Sequence, residues 1–339
     1  MEASNPTLPE LGWKPFYSQQ VSAEEARDCQ PVRVMAVHRG MVAVLGDGID
    51  ASISSILNEP RGPEDRPTVG DWLLVERGGE RVVRLLDRTS LFKRPAPGDS
   101  RRLQLIAANV DTLFIVTSCN QDFSIARIER YLVLAREVGV KPVIVLTKAD
   151  LAETPERFLA EAQALAVEVE MINGRDPESA AHLTARCGSG ETVALVGSSG
   201  VGKSTLINTL RGSDSIATQA VREADGKGRH TTTVREMHRL GRGGGWLVDT
   251  PGMRELQLSD ATAGLAEVFD DIVAMALECR FNNCTHAAEP GCVVQAALAH
   301  GSLSAARLER WRRLTAEELV NTGKIVARQT RVRRQDKRK

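Results

Sequence analysis

The sequence predicts an α/β chain in three parts: a small N-terminal β-barrel, a phosphate-loop α/β domain, and a C-terminal helical module built on a metal site. Three stretches carry that expectation. Residues 31–90 fall into short alternating apolar runs divided by glycine, the pattern of a small antiparallel sheet. Residues 197–204 read G-x-x-x-x-G-K-S between an apolar run and a helical pattern, the strand, loop and helix of a phosphate-binding loop. Cys279, Cys284, His286 and Cys292 gather three thiols and an imidazole, the donor set of a closed tetrahedral zinc site.

A chain of 339 residues suffices for roughly two or three domains, each with its own core. Basic and acidic residues balance at 44 each, yet residues 328–339 hold seven basic side chains against Asp336 alone. A balanced body with a basic tail implies a polyanion engaged locally. The N-terminus has no apolar signal segment, and no apolar run approaches a membrane span; the expectation is a cytoplasmic protein without a membrane partner. Cys29, Cys119 and Cys187 are scattered and read as free thiols.

Residues 1–30, with Pro6, Pro9 and Pro15 early and a short helical pattern from Ser22, read as an extended arm. In 31–90, five strands are expected near 32–37, 41–45, 50–53, 71–75 and 82–86. An oligonucleotide-binding (OB) barrel is the commonest five-stranded answer at that size, and another small barrel with a structural role fits the same pattern. Arg33, Arg39, Arg61 and Arg66 offer an RNA-facing surface or simply a solvated one. Residues 91–103, carrying Pro95 and Pro97, read as an irregular linker. The α/β domain covers 104–260, a helical module 261–327, and a basic tail 328–339.

In the phosphate loop, Gly197, Gly200 and Gly202 let backbone N–H groups turn around an anion without a Cβ in the way. Ser198, Ser199, Val201 and Thr205 complete the phosphate-binding stretch. Lys203 would reach the β- and γ-phosphates, and the Ser204 hydroxyl would ligate Mg²⁺. Upstream, an apolar strand at 142–146 runs into Thr147-Lys148-Ala149-Asp150. The Asp150 carboxylate can accept from guanine N1–H and its exocyclic amine, and the Lys148 stem can cover the base. Asn173 and Gly174 form a turn that could close over the guanine, although Asn-Gly is first of all a turn signal.

Downstream of the loop, Thr232 in Thr231-Thr232-Thr233 could complete the Mg²⁺ shell and sense the γ-phosphate, or be part of an ordinary strand. Asp249 ends an apolar strand, where a second Mg²⁺ contact belongs, and the Gly252 N–H can meet the γ-phosphate. Met253 stands where many GTPases carry a glutamine that orients water. His230, beside the proposed Mg²⁺ threonine, is the catalytic candidate in its place, with a loop histidine that touches only RNA as the alternative. One helix is expected at 260–278, and three more at 293–300, 302–314 and 315–328.

The base motif precedes the phosphate loop, and both switch segments follow it, whereas an ordinary GTPase runs from phosphate loop through switches to base motif. That order is a circular permutation. With a barrel in front and a cysteine-histidine module behind, the chain resembles the bacterial ribosome small subunit-dependent GTPase A family over about residues 31–300. The resemblance implies a GTPase of late small-subunit maturation, stimulated by that subunit, with an OB barrel and a C-terminal zinc domain. It implies GTP/GDP, the small ribosomal subunit and its rRNA as partners, a monomer, Mg²⁺ with the nucleotide, and one structural Zn²⁺ per chain. Carried onto this sequence, it assigns guanine to Lys148 and Asp150, phosphates to 197–205, switch roles to Thr232 and 249–252, and zinc to Cys279, Cys284, His286 and Cys292. The chain departs from the pattern at Thr147, where most GTPase base motifs have asparagine, and at Asn173, where the family usually shows serine. A phosphate-loop ATPase or kinase, and a nucleotide-gated RNA-binding module with incidental hydrolysis, are the rival readings.

Overall fold

The structure, a computed structural model, describes residues 5–57, 62, 64–78, 81–96, 99–212, 235–241, 244–249, 256, 258 and 260–336. The chain divides into two compact units, Met1–Ile125 with Gly139–Leu256, and Ala126–Val138 with Gln257–Lys339.

The first unit opens with helices α1 (Pro15–Ser18) and α2 (Ala23–Asp28). Ser22 caps α2 by accepting from the Glu25 N–H while the Glu25 carboxylate accepts from the Ser22 N–H, a reciprocal capping box. Five strands follow: β1 (Cys29–Val37), β2 (Met41–Gly46), β3 (Ile49–Ser54), β4 (Trp72–Glu76) and β5 (Val82–Leu85). They pair antiparallel in the order β3-β2-β1-β4-β5 around a core of Val32, Val34, Val42, Val44, Ile53, Leu73, Val75 and Val82. Among the described residues no ladder joins β3 to β5.

Residues 91–103 are not an irregular linker. Strands β6 (Leu91–Ala96) and β7 (Asp99–Ala108) make a separate two-stranded ladder in which Pro95 lies opposite Leu103, with a register shift beside it. A proline lacks an N–H but is tolerated in a strand with a free edge or at a bulge, so it does not end this one.

The α/β portion runs β8 (Thr112–Ser118), α3 (Ile125–Glu137), β9 (Lys141–Thr147), a single 3₁₀ turn (Ala149–Leu151), α4 (Pro155–Gln163), β10 (Val169–Met171), α5 (Ala181–Thr184), β11 (Thr192–Val196), α6 (Lys203–Arg211), β12 (Arg235–Arg239) and β13 (Trp246–Asp249). In space the strands lie β10-β9-β8-β11-β13-β12. The first five are mutually parallel and β12 is antiparallel. Every residue of β8 and β11 is buried, as strands flanked on both faces require. The sheet continues through β12 into β1, which pairs at Ala36 and Val37 beyond its bulge.

The N-terminal arm is packed rather than extended. Trp13 packs edge-on and Tyr17 tilted against Trp72, the Trp246 indole donates to Glu10 O at 2.8 Å, and Lys14 pairs with Asp111 and Glu191 at 2.6 and 3.3 Å. Beneath it lies Arg33, only 1% exposed and therefore no RNA-facing side chain. Its guanidinium donates to Leu11 O in the arm and to the Thr192 hydroxyl of β11 at 2.7 Å. Burial holds its pKa below the ordinary arginine value.

In the second unit, Glu129 of α3 is fully buried and accepts from Arg307 and Arg310. The remaining helices are α7 (Thr262–Val268), α8 (Asp270–Leu277), α9 (Val293–Ala299) and α10 (Ala305–Asp336). The single helix expected at 260–278 is interrupted at Phe269, which leaves helical geometry (φ −117°, ψ 38°) to bury its ring fully. The two helices expected at 302–314 and 315–328 are instead one, since no proline or cap breaks the run, and its backbone carries the basic tail as far as Asp336.

Arg33→Ala should lower the unfolding free energy by about 3 kcal/mol, because it leaves a cavity and strands buried acceptors. Denaturant unfolding reads this directly. A loss under about 1 kcal/mol would mean that the arm is held by its apolar side chains alone.

Candidate functional site

The parallel strands end on one side of the sheet, where open α/β folds place their ligands. The phosphate loop follows β11. Gly197 (φ 144°), Gly200 (φ 80°) and Gly202 (φ 98°) adopt backbone conformations that disfavour side chains, and a Cβ on Gly197 would lie 2.2 Å from Val116 O. Val201 anchors the loop in the core while Ser199 and Gly200 form its exposed tip. Lys203, largely buried at the start of α6, donates to Gly197 O at 2.8 Å and to Ser198 O. The ammonium thus sits inside the curl of the loop, where a phosphate would meet it. Ser204 and Thr205 lie half-buried on the first helical turn.

The base motif leaves β9 and reaches back to this loop. Lys148 takes a left-handed conformation (φ 57°) and its Nζ donates to Gly200 O at 2.7 Å. Thr147 is buried, with its hydroxyl 2.6 Å from Val201 O and 3.2 Å from Thr117 O. A hydroxyl has one proton to donate, and here the nearer acceptor belongs to the phosphate loop. Thr147 therefore ties the two motifs together from beneath. Asp150 projects into solvent from the 3₁₀ turn, free to meet a base edge.

After β10, Asn173 Oδ1 accepts from the Arg175 N–H at 3.0 Å, and the Ser179 hydroxyl accepts from the Asn173 N–H at 2.9 Å. Gly174 is half-buried, and a Cβ there would meet nothing within 4 Å. Asp249 ends β13 one residue beyond the Val248–Ala194 pair, so it lies beside the end of β11 from which the loop departs. Thr232, His230 and Gly252 lie outside the described residues.

Two polar residues escaped the sequence reading. The Ser198 hydroxyl donates to the Asp122 carboxylate in the segment after β8, and the Thr209 hydroxyl of α6 donates to Gly174 O at 2.7 Å. Neither belongs to a spaced motif; only the strand order brings them to the site.

The second unit holds Cys279, Cys284, His286 and Cys292 with their donor atoms within 4.8 Å of one another. His286 Nδ1 lies 3.5 and 3.6 Å from the sulfurs of Cys279 and Cys292, which are 3.9 Å apart. Tetrahedral zinc, with Zn–S near 2.3 Å and Zn–N near 2.0–2.1 Å, calls for sulfur–sulfur separations of about 3.8 Å and sulfur–nitrogen separations of about 3.5 Å. The donors fit. His286 (φ 58°) is fixed by Gln295 and Arg312, which both donate to its carbonyl. Desolvation, followed by the neighbouring thiols of Cys292 and Cys279, pushes Cys284 up to about 11. Glu289 closes the ligand loop by accepting from the N–H groups of Thr285, Ala287 and Ala288.

Strand order, phosphate loop and permuted base motif together define a circularly permuted phosphate-loop GTPase. The RsgA GTPase family model matches residues 85–259. The chain is 50% identical over 325 residues to the small ribosomal subunit biogenesis GTPase RsgA of Mesorhizobium japonicum, covering 94% of this chain and 92% of that one. It is 46% identical over 337 residues to RsgA 2 of Vibrio parahaemolyticus, covering 99% and 92%. The chain belongs to the RsgA GTPase family. Its fold is similar to that of YjeQ from Thermotoga maritima (TM-score 0.62, 24% identity, 86% of this chain and 99% of that one). It is also similar to that of YloQ, a circularly permuted GTPase (TM-score 0.59, 23% identity, 85% and 94%).

Asp150→Asn should weaken GTP by about 10- to 100-fold, the worth of a charged hydrogen-bond acceptor, and should admit xanthosine triphosphate, whose edge suits an amide. Competition binding checks both. Unchanged GTP affinity would place base reading elsewhere.

Proposed function

We propose that this GTPase couples GTP hydrolysis to late maturation of the small ribosomal subunit, working in the cytoplasm as a monomer bound to that subunit's rRNA. The observation that carries the reading is the base motif hydrogen-bonded to the phosphate loop, in a chain matching small-subunit biogenesis GTPases along nearly its whole length. Asp150 and the Lys148 stem would hold guanine, with Asn173 and Gly174 closing over it. Residues 197–205 would cradle the phosphates, and Lys203 would neutralise charge that builds on them during transfer to water. Ser204, Thr232 and Asp249 would hold Mg²⁺, which supplies further charge neutralisation when bound. The Gly252 N–H would meet the γ-phosphate, and His230 would orient the attacking water in the absence of a switch glutamine.

The barrel, as an OB fold, and the basic residues of 328–339 would supply the rRNA contacts. Cys279, Cys284, His286 and Cys292 would bind one structural Zn²⁺, supported by the donor spacing and by the lack of an open coordination position.

Turnover of GTP should rise at least about tenfold, some 1.4 kcal/mol of barrier, when purified small subunits are added. An unaltered rate with subunits bound would detach hydrolysis from the ribosome and favour a binding module. Elemental analysis should find about one zinc per chain, and Cys284→Ala should lose it together with the folding of 279–292; a metal-free, folded protein would refute the site.

A further inference from the structure

Thr209 lies on α6, six residues beyond Lys203 and outside every motif in the sequence. Its hydroxyl is 2.7 Å from Gly174 O and 3.1 Å from Thr205 O of its own helix. With one proton to give, it serves the nearer acceptor, the carbonyl of the loop after β10. That carbonyl belongs to the peptide joining Gly174 to Arg175, and the N–H on the other end of the same peptide donates to Asn173 Oδ1 at 3.0 Å. One peptide group is therefore held at both ends. Just before it, the Ile172 N–H donates to Leu146 O at 2.8 Å, which fastens the loop to the strand that carries the base motif. The loop is suspended between β9 and the helix that begins with Lys203 and Ser204.

We propose that Thr209 is a positioning residue for guanine recognition: by holding the Gly174 carbonyl on α6, it aims at the base edge the Gly174 N–H, the one donor of residues 172–175 that the hydrogen bonds to Leu146 O, Ser179 Oγ and Asn173 Oδ1 leave over. The proposal rests on the reading of this site as a guanine-nucleotide site. Guanine presents an acceptor, O6, where adenine presents an amine, so a fixed N–H donor favours the first and rejects the second. Asp150 addresses the opposite part of that edge, N1–H and the 2-amine. The loop needs no side chain for its share, consistent with a Gly174 that faces open space. It needs only that the Gly174 backbone be held in place, which Thr209 does through the Gly174 carbonyl from the helix that begins with Lys203 and Ser204. Asn173 joins in as an internal acceptor, and a serine at that position could fill the same role.

The test uses the full chain with Mg²⁺ and measures dissociation constants for GDP, IDP and ADP in the unaltered protein, Thr209→Val and Thr209→Ser. IDP keeps O6 but lacks the 2-amine; ADP lacks both. Thr209→Val should weaken GDP and IDP together by about tenfold, with ADP unchanged, and Thr209→Ser should restore both. Should Thr209→Val fail to fold, Thr209→Ala carries the same comparison. Equal weakening of all three nucleotides would overturn the proposal by showing that the hydroxyl merely supports the phosphate helix. Unchanged GDP and IDP would overturn it as well. If the unaltered protein binds GDP no better than ADP, the guanine reading itself fails, a result distinct from any effect of Thr209.

Discussion

Two hydrogen bonds across the ends of three strands hold the nucleotide site in shape: Thr147 to Val201 O and Lys148 to Gly200 O. The base motif leaves β9 and the phosphate loop leaves β11, with β8 between them. A nucleotide needs its base and phosphate sites at a fixed separation, and backbone acceptors on a glycine-rich loop are the least adaptable partners available for setting it. Thr147 spends its one hydroxyl proton inside the protein, on the phosphate loop. The threonine thus keeps its value in a motif where asparagine would offer a second donor.

The same constraint explains why the motif order along the chain can be permuted. Binding depends on which loops emerge side by side from the carboxyl ends of parallel strands, and that is a property of the sheet. Each strand pair here is made by backbone ladders and buried apolar side chains that are indifferent to chain direction between elements. Moving the cut point therefore leaves the site intact.

What could be read from the sequence was whatever announces itself locally. The phosphate loop, the base tetrapeptide and the cysteine-histidine cluster are contiguous or nearly so, and their residue types admit few other uses. Arg33 shows the limit. Alternation with Val32 and Val34 places it on the opposite face of β1 from the core of the five-stranded sheet, and a charged residue there is naturally read as solvated. That face is instead covered by the arm and the start of β11, contacts that no local pattern records. Pro95 misled differently, because a proline is compatible with a strand when its neighbour across the ladder needs no N–H from it. Thr209 and Asp122 carry no signal beyond their polarity, since what matters about them is the loop that the sheet brings alongside.

The ladder between β1 and β12 joins Ala36 to Glu236 and Val37 to Arg235, partners 200 and 198 residues apart. At ribosomal rates of about 5–20 residues per second, some 10–40 s separate the emergence of the two strands. The core of β1–β5 can condense early from its own contiguous strands, but the outer end of β1 must wait. So must the arm, whose partners Glu191 and Trp246 are also made late. During that interval Lys14, the Glu10 carbonyl and Arg33 lack the partners that Glu191, Trp246 and Thr192 supply, which makes the front of this protein late to close.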